Sequence, residues 1–302
     1  MDCSVISMMA MQLYDMIEDI LPAAVVEWLI QNNFGRVVEK HSVGGGCINH
    51  GARILTSSGQ KFFIKTNDYS PKDMFAREAG GLTSLRSADS LYVPESFLYD
   101  ANFLLMEDLN PAGRNRDYWP EFGRGLAALH NHTSPQFGFA HDNYIGSTAQ
   151  PNPWMADGYQ FFGQHRLMFQ AQLAARRGRL NPSQVKKVEQ IVSNLNDLVP
   201  FQPASLIHGD LWSGNASSDQ LGRPALIDPA AHYGWAEAEL AMTALFGSFP
   251  DIFYQAYMEI RHLEPGFRQR FPIYNLYHLL NHLNLFGEGY LGEVLSVLGQ
   301  FS

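Results

Sequence analysis

The pattern of the chain changes once, near residue 108, and that change limits the folds open to it. Before it, short apolar runs alternate with turn residues. Residues 36–43, 52–56 and 61–65 read as three strands, joined by turns at Gly44-Gly45-Gly46 and Ser57-Ser58-Gly59. Residues 95–99 and 103–107 read as two more, around a turn at 100–102. Between the two sets, residues 72–87 place Phe75, Ala79, Leu82 and Leu85 on one helical face. An N-terminal helical pattern covers 8–32, with Pro22 dividing it or opening its second half. After 108 helical periodicity takes over, at 119–131, 154–177, 182–198, 236–246, 249–262 and 271–290. The expected fold class is α+β in two lobes: a small β-rich N-lobe over 1–107 and a larger helical C-lobe over 108–302.

Composition narrows the function classes. Of 302 residues, 46% are hydrophobic, which supports a sizeable core. The formal net charge of −9 argues against nucleic acid as a partner, because a phosphate backbone selects a basic surface. No apolar run reaches the ~18–20 residues of a membrane span. The acidic N-terminal stretch (Asp2, Asp15, Glu18, Asp19) lacks a basic leader region. Two cysteines, Cys3 and Cys47, do not make a disulfide framework. A cytoplasmic protein without membrane partners is expected, a monomer or weak dimer.

The chemistry is concentrated in residues 206–228, LIHGDLWSGNASSDQLGRPALID. Asp210 and Asn215 lie five positions apart, and Asp228 closes what reads as a strand. One acid that accepts the proton of an attacking hydroxyl, with an amide and a second acid that hold Mg²⁺ on phosphates, is what phosphoryl transfer from ATP requires. The H-x-D-x-x-x-x-N spacing resembles the catalytic loop of protein-kinase-like enzymes, with Asp228 at the magnesium-aspartate position. Asp210 is therefore the candidate general base, and Asn215 and Asp228 the candidate metal ligands. His208 braces the loop. Lys65, at the end of an apolar strand, and Glu78, thirteen residues on along the next helix, form the candidate phosphate-anchoring pair. The Gly44-Gly45-Gly46 turn offers backbone N–H groups to phosphates. It matches neither a P-loop nor a dinucleotide fingerprint. Glu107 and Leu109, at the change of pattern, are the candidate main-chain contacts for adenine. Cys47 comes directly after the glycine turn and reads equally as a reactive thiol or an inert one.

Taken in order, GGGCIN (44–49), FIK (63–65), EAGGL (78–82), LMEDL (105–109), HGDLWSGN (208–215) and IDPA (227–230) resemble the fructosamine kinase (ketosamine-3-kinase) family over roughly residues 17 to 300. The resemblance implies a protein-kinase-like fold and ATP- and Mg²⁺-dependent phosphorylation of the sugar 3-hydroxyl of ketosamines, free or on glycated protein lysines. It also implies a repair role, since the 3-phosphate releases the amine. It places Asp210 and Trp212 against the sugar; an indole suits the C–H face of a polyol. Two positions depart from the pattern. Ala236 stands where a basic residue is frequent, and Glu239 where aspartate is common, a position that buttresses the catalytic loop.

Two other classes compete with this one. An aminoglycoside or choline kinase of the same fold needs an acidic pocket or an aromatic cage; the one acid and one aromatic in 209–215 favour a neutral polyol. A non-catalytic pseudokinase would lack catalytic groups, and all five are present. No Asp-Phe-Gly to Ala-Pro-Glu segment marks a protein kinase; the 228–230 segment runs almost directly into a helix.

Overall fold

The computed structural model describes residues 21–44 and 49–302. The first half of the N-terminal helical pattern, Gly45, Gly46 and Cys47 lie outside the described residues. The chain forms two compact units.

The first unit holds the described residues up to Ala79 together with Pro94–Asn110. It opens with α1 (Ala23–Gln31), with Pro22 at the N-cap directly before it; residues 1–20 ahead of it lie outside the described residues. Strands β1 (Val37–Val43), β2 (His50–Thr56), β3 (Lys61–Thr66), β4 (Ser96–Asp100) and β5 (Phe103–Glu107) pair antiparallel in the order β1-β2-β3-β5-β4. Alternation explains the sheet: Ala52, Ile54 and Thr56 of β2, and Phe62 and Ile64 of β3, turn to one buried face. Val25 and Leu29 of α1 close that face, and Phe34, Phe97 and Trp28 pack their rings on Phe62 at 5.0, 5.6 and 5.9 Å. Each such buried side chain contributes about 1.5–3 kcal/mol.

Helix α2 (Met74–Ser87) begins in the first unit and ends in the second, which takes Gly80–Val93 and Pro111–Ser302. The second unit therefore includes a stretch, 80–93, that lies within the N-terminal part in the sequence reading. Its helices are α3 (Tyr118–His130), α4 (Gly158–Phe162), α5 (Phe169–Arg176), α6 (Pro182–Ser193), α7 (Leu195–Leu198), α8 (Ala236–Leu245), α9 (Asp251–Ile260), α10 (Phe267–Phe286) and α11 (Leu291–Phe301). Short strands β6 (Thr133–Ser134), β9 (Ala204–Ile207) and β12 (His232–Gly234) form one sheet. β7 (Asn143–Ile145) with β8 (Thr148–Gln150), and β10 (Ala216–Ser218) with β11 (Pro224–Leu226), form two hairpins.

Several expectations shift here. The helix expected at 154–177 starts only after Asp157, whose carboxylate caps it by accepting from Tyr159 and Gln160, and a π-helical turn (Gly163–Met168) interrupts it. The pattern at 182–198 breaks at Asn194. The pattern at 271–290 is displaced: α10 runs from Phe267 through Pro272 and stops at Gly287, which has φ +95°. The strand before Asp228 ends at Leu226, and β12 intervenes before α8.

Candidate active site

The catalytic-loop residues His208–Asn215 leave the sheet at the end of β9. Four apolar or small residues in a row, Ala204–Ile207, are all buried, so β9 is a fixed platform for the loop. The loop is then held by its backbone. Glu239 of α8 accepts from His208 N at 2.8 Å and from Gly209 N at 2.7 Å, one carboxylate oxygen for each. His130 of α3 touches Glu239 Oε2 through Nε2 at 3.0 Å and Tyr257 Oη of α9 through Nδ1 at 2.8 Å. A carboxylate only accepts, so Nε2 carries the proton and the tyrosine hydroxyl donates to Nδ1. Burial lowers the His130 pKa despite Glu239, which keeps the ring neutral. Burial alone would raise Glu239, but the hydrogen bonds from His130 and from the His208 backbone hold it below the usual range. The buttress expected at Glu239 is thus a carboxylate with a partner on each side. Leaving either loop N–H without it would cost about 1–3 kcal/mol per donor.

Gly209 adopts φ +85°, and a Cβ there would run into the carbonyl oxygen of Ala230. Only glycine allows this approach of the two loops. Ala230 N donates to His208 O at 2.9 Å, and His208 Nε2 donates to Ile227 O at 2.8 Å. His208 therefore braces the loop.

Asp210 is partly buried at the tip of this assembly. Burial and then the charge of Asp228 push its carboxyl up to about 7, against the pull of the Asn215 hydrogen bond. Asn215 is buried and donates Nδ2 to Asp210 O at 2.8 Å and to Asp210 Oδ2 at 3.3 Å. That leaves its Oδ1 as the atom for a cation. Asp228 is exposed, with φ +58°, a conformation that non-glycine residues seldom take. The Asn215 amide oxygen and the Asp228 carboxylate are hard oxygen donors of the kind that fits Mg²⁺. Among the described residues, no cluster of three or more His, Cys, Asp and Glu side chains could hold a metal. An ion bound through one or two protein groups and substrate phosphates does not need one.

Trp212 lies 37% exposed, its ring centroid 6.2 Å from that of Phe246, so it belongs to the surface of the loop rather than the core. Gly214 makes room for it: a Cβ there would strike the indole.

In the first unit, Lys65 of β3 is buried and meets Glu78 of α2 at 2.5 Å. The pair expected thirteen residues apart does form. Glu107 N donates to Glu95 O at 2.8 Å, so the main-chain donor of that residue is already engaged. Leu109 lies in the irregular segment after β5, partly buried. Gly44 comes directly after β1, with open space around it. Sequence reasoning singled out neither His130 nor the amides of Asn143 and Gln150 that reach the backbone just beyond Asp228. Polar residues on helices and hairpins 80 or more positions away carry no local signal of their target.

The chain is similar to several known proteins. A family model described as fructosamine kinase matches residues 23–301. A Synechocystis protein named probable ketoamine kinase is 44% identical over 270 residues, covering 88% of this chain and 90% of its own. The chloroplastic protein-ribulosamine 3-kinase of Arabidopsis thaliana is 37% identical over 287 residues, 91% of this chain and 86% of its own. A solved Thermobifida fusca structure described as a fructosamine-3-kinase superposes with a TM-score of 0.84 at 32% identity, covering 92% of this chain and 98% of that one. More distantly, an aminoglycoside phosphotransferase solved with AMP-PNP and hygromycin B has a TM-score of 0.59 at 16% identity, a likeness of fold alone. The fold is protein-kinase-like.

Proposed function

The chain belongs to the fructosamine kinase family, and from that premise we propose that it transfers the γ-phosphoryl group of ATP to the 3-hydroxyl of a ketosamine, a fructosamine or a ribulosamine, free or on a protein lysine. The observation that carries the reading is Asp210, a lone carboxylate on a loop whose backbone is fixed by Glu239, with the Asn215 amide folded against it.

Asp210 accepts a hydrogen bond from the 3-hydroxyl and aims its oxygen at phosphorus, and takes the proton as the new P–O bond forms. The transition state is loose, so orientation matters more than early proton removal. Asn215 Oδ1 and Asp228 would hold Mg²⁺, which when bound neutralises phosphate charge and lowers the Asp210 pKa. The Lys65 ammonium, held by Glu78, anchors phosphate oxygens, and the backbone N–H groups of Gly44, Gly45 and Gly46 are the further donors proposed for the phosphates. Main-chain groups of Glu107 and Leu109 receive adenine, Glu107 through its carbonyl. Trp212 packs on the C–H face of the sugar. Residues 1–107 thus supply nucleotide contacts, and residues 108–302 the base, the metal ligands and the acceptor contacts. The 3-phosphate product then sheds its amine, which makes the reaction a repair. Cysteine usage supports a cytoplasmic setting.

The test is an ATP-consumption assay with Mg²⁺ on fructosyl-lysine and ribulosyl-lysine, with Asp210→Ala as control. Turnover in the parent that falls at least ~10³-fold in the variant is expected, as for loss of a group central to the transition state. No turnover on either sugar, with ATP still bound, would remove ketosamines as the substrate class.

A further inference from the structure

Just beyond Asp228, the carbonyls of Ala230 and Ala231 are gripped by buried amides. Gln150 Nε2 donates to Ala230 O at 3.1 Å, and Asn143 Nδ2 donates to Ala231 O at 2.9 Å. Asn143 and Gln150 face each other across the β7–β8 hairpin, and Gln150 Nε2 also donates to Asn143 Oδ1 at 2.7 Å. Asn152 Nδ2 donates to that same oxygen at 2.8 Å. Tyr277 Oη of α10 donates to Gln150 Oε1 at 2.6 Å. Arg166 Nη2 donates to Asn152 Oδ1 at 2.6 Å. All five side chains are at most 4% exposed.

The chain of bonds has a direction. A guanidinium can only donate, so Asn152 must show it oxygen and turn its NH₂ toward Asn143. Asn143 Oδ1 receives two donors, so its own NH₂ must face Ala231 O. Gln150 takes the tyrosine proton on its oxygen and spreads both N–H bonds to Asn143 and Ala230. The backbone carbonyls at the far end can only accept. No amide can turn over without setting donor on donor or acceptor on acceptor. Arg166 starts the chain from the π-helical turn, with its guanidinium 4.5 Å from the Phe161 ring and two further bonds to Pro151 O and His165 O. A π turn in this position is a feature associated with function. Ala230 is thereby held at both of its backbone polar groups, the carbonyl by Gln150 and the N–H by His208 O of the catalytic loop.

We propose that Asn143, Gln150, Asn152, Arg166 and Tyr277 are positioning residues that fix Asp228 for its divalent cation. The inference rests on the phosphotransfer reading of the site. None of the five touches the ion; they set the backbone two and three residues beyond its ligand. In enzymes of this fold that carry a long segment after the metal aspartate, that segment can be ordered or released. Here the hold is built from buried side-chain bonds.

The experiment is Mn²⁺ binding, followed by the electron paramagnetic resonance of the ion in the presence of ADP, with ADP binding without metal measured in parallel. In Gln150→Leu, Mn²⁺ affinity should fall about 10–100-fold, the range for loss of a group that orients a metal ligand, while metal-free ADP affinity stays at the parent value. Tyr277→Phe removes one hydroxyl and leaves both Gln150 donors, so a smaller loss in the same direction is expected, and it carries the test if Gln150→Leu does not fold. Unchanged Mn²⁺ affinity in the folded variants, whatever their melting temperatures, would overturn the positioning role and leave the phosphotransfer reading standing. A parent that shows no Mn²⁺-dependent nucleotide binding would overturn both.

Discussion

At the scale of single residues, the site trades stability for chemistry at Asp210. Its carboxyl is pushed up to about 7 in the folded chain, above the ordinary value of 3.8. The folded state therefore holds a proton that the unfolded chain releases. Stability from that proton is present below about pH 4 and is lost as pH rises through 7. With no divalent cation present, Asp210→Asn should melt several degrees above the parent at pH 8 and level with it near pH 4, while being inactive. Thermal melts of both proteins across that range check this; equal melting temperatures at pH 8 would mean that the carboxylate is at ease where it stands. Asp210, Asn215 and Asp228 stand out in the sequence by their spacing, and the structure brings the Asn215 amide onto Asp210 with the Asp228 charge near it. The left-handed backbone of Asp228 was not legible there, since a residue other than glycine seldom takes that conformation and no residue beside it marks it.

At the scale of elements, α3 and α9 approach backbone to backbone. A Cβ on Gly123 would collide with Phe253 O and come within 2.9 Å of Tyr257 N. Gly123→Ala gains up to about 1 kcal/mol of helix propensity, yet it must part the helices. The overpacking cost of roughly 1–3 kcal/mol should win. Because α3 carries His130 and α9 carries Tyr257, the shift also reaches Glu239 and the catalytic loop. A lower urea midpoint together with a lower kcat is expected. Gly299 of α11 is the control: its Cβ would meet open space, so Gly299→Ala should hold or raise the midpoint. The long helices and the five-stranded sheet were readable because their periodicity runs for many residues. Strands of three residues, such as β10, β11 and β12, are too short to show a period. The π turn at 163–168 changes the period inside what reads as one helix. Helix α11 escaped for another reason: Gly292 and Gly299 weaken its propensity, although Leu291, Val294, Val297 and Leu298 hold helical spacing.

At the scale of the whole molecule, the buried histidines govern the response to acid. Burial depresses His130, His232 and His278, the last to about 3, with Arg166 adding to the effect at His232 and, after His282, at His278. Below pH 6.5 the unfolded chain takes up protons that these rings refuse. Their contribution is therefore complete above 6.5 and is lost as pH falls from there toward the folded values. Three rings give a slope of up to about 4 kcal/mol per pH unit. Asp210 works in the opposite sense over the same interval, one carboxyl against three imidazoles. The urea midpoint should drop steeply between pH 6.5 and 5; a flat profile would contradict the burial of neutral rings. No helix among the described residues is long and apolar enough to cross a membrane. The connection from Asp228 to α8 is only residues 229–235, part of them in β12 and two of them clamped at their carbonyls. A joint that short and that fixed leaves no length in it for a covalent mark to rearrange. On the proposed function, such an enzyme has no throttle in this joint, and any brake on its output has to act somewhere else in the chain.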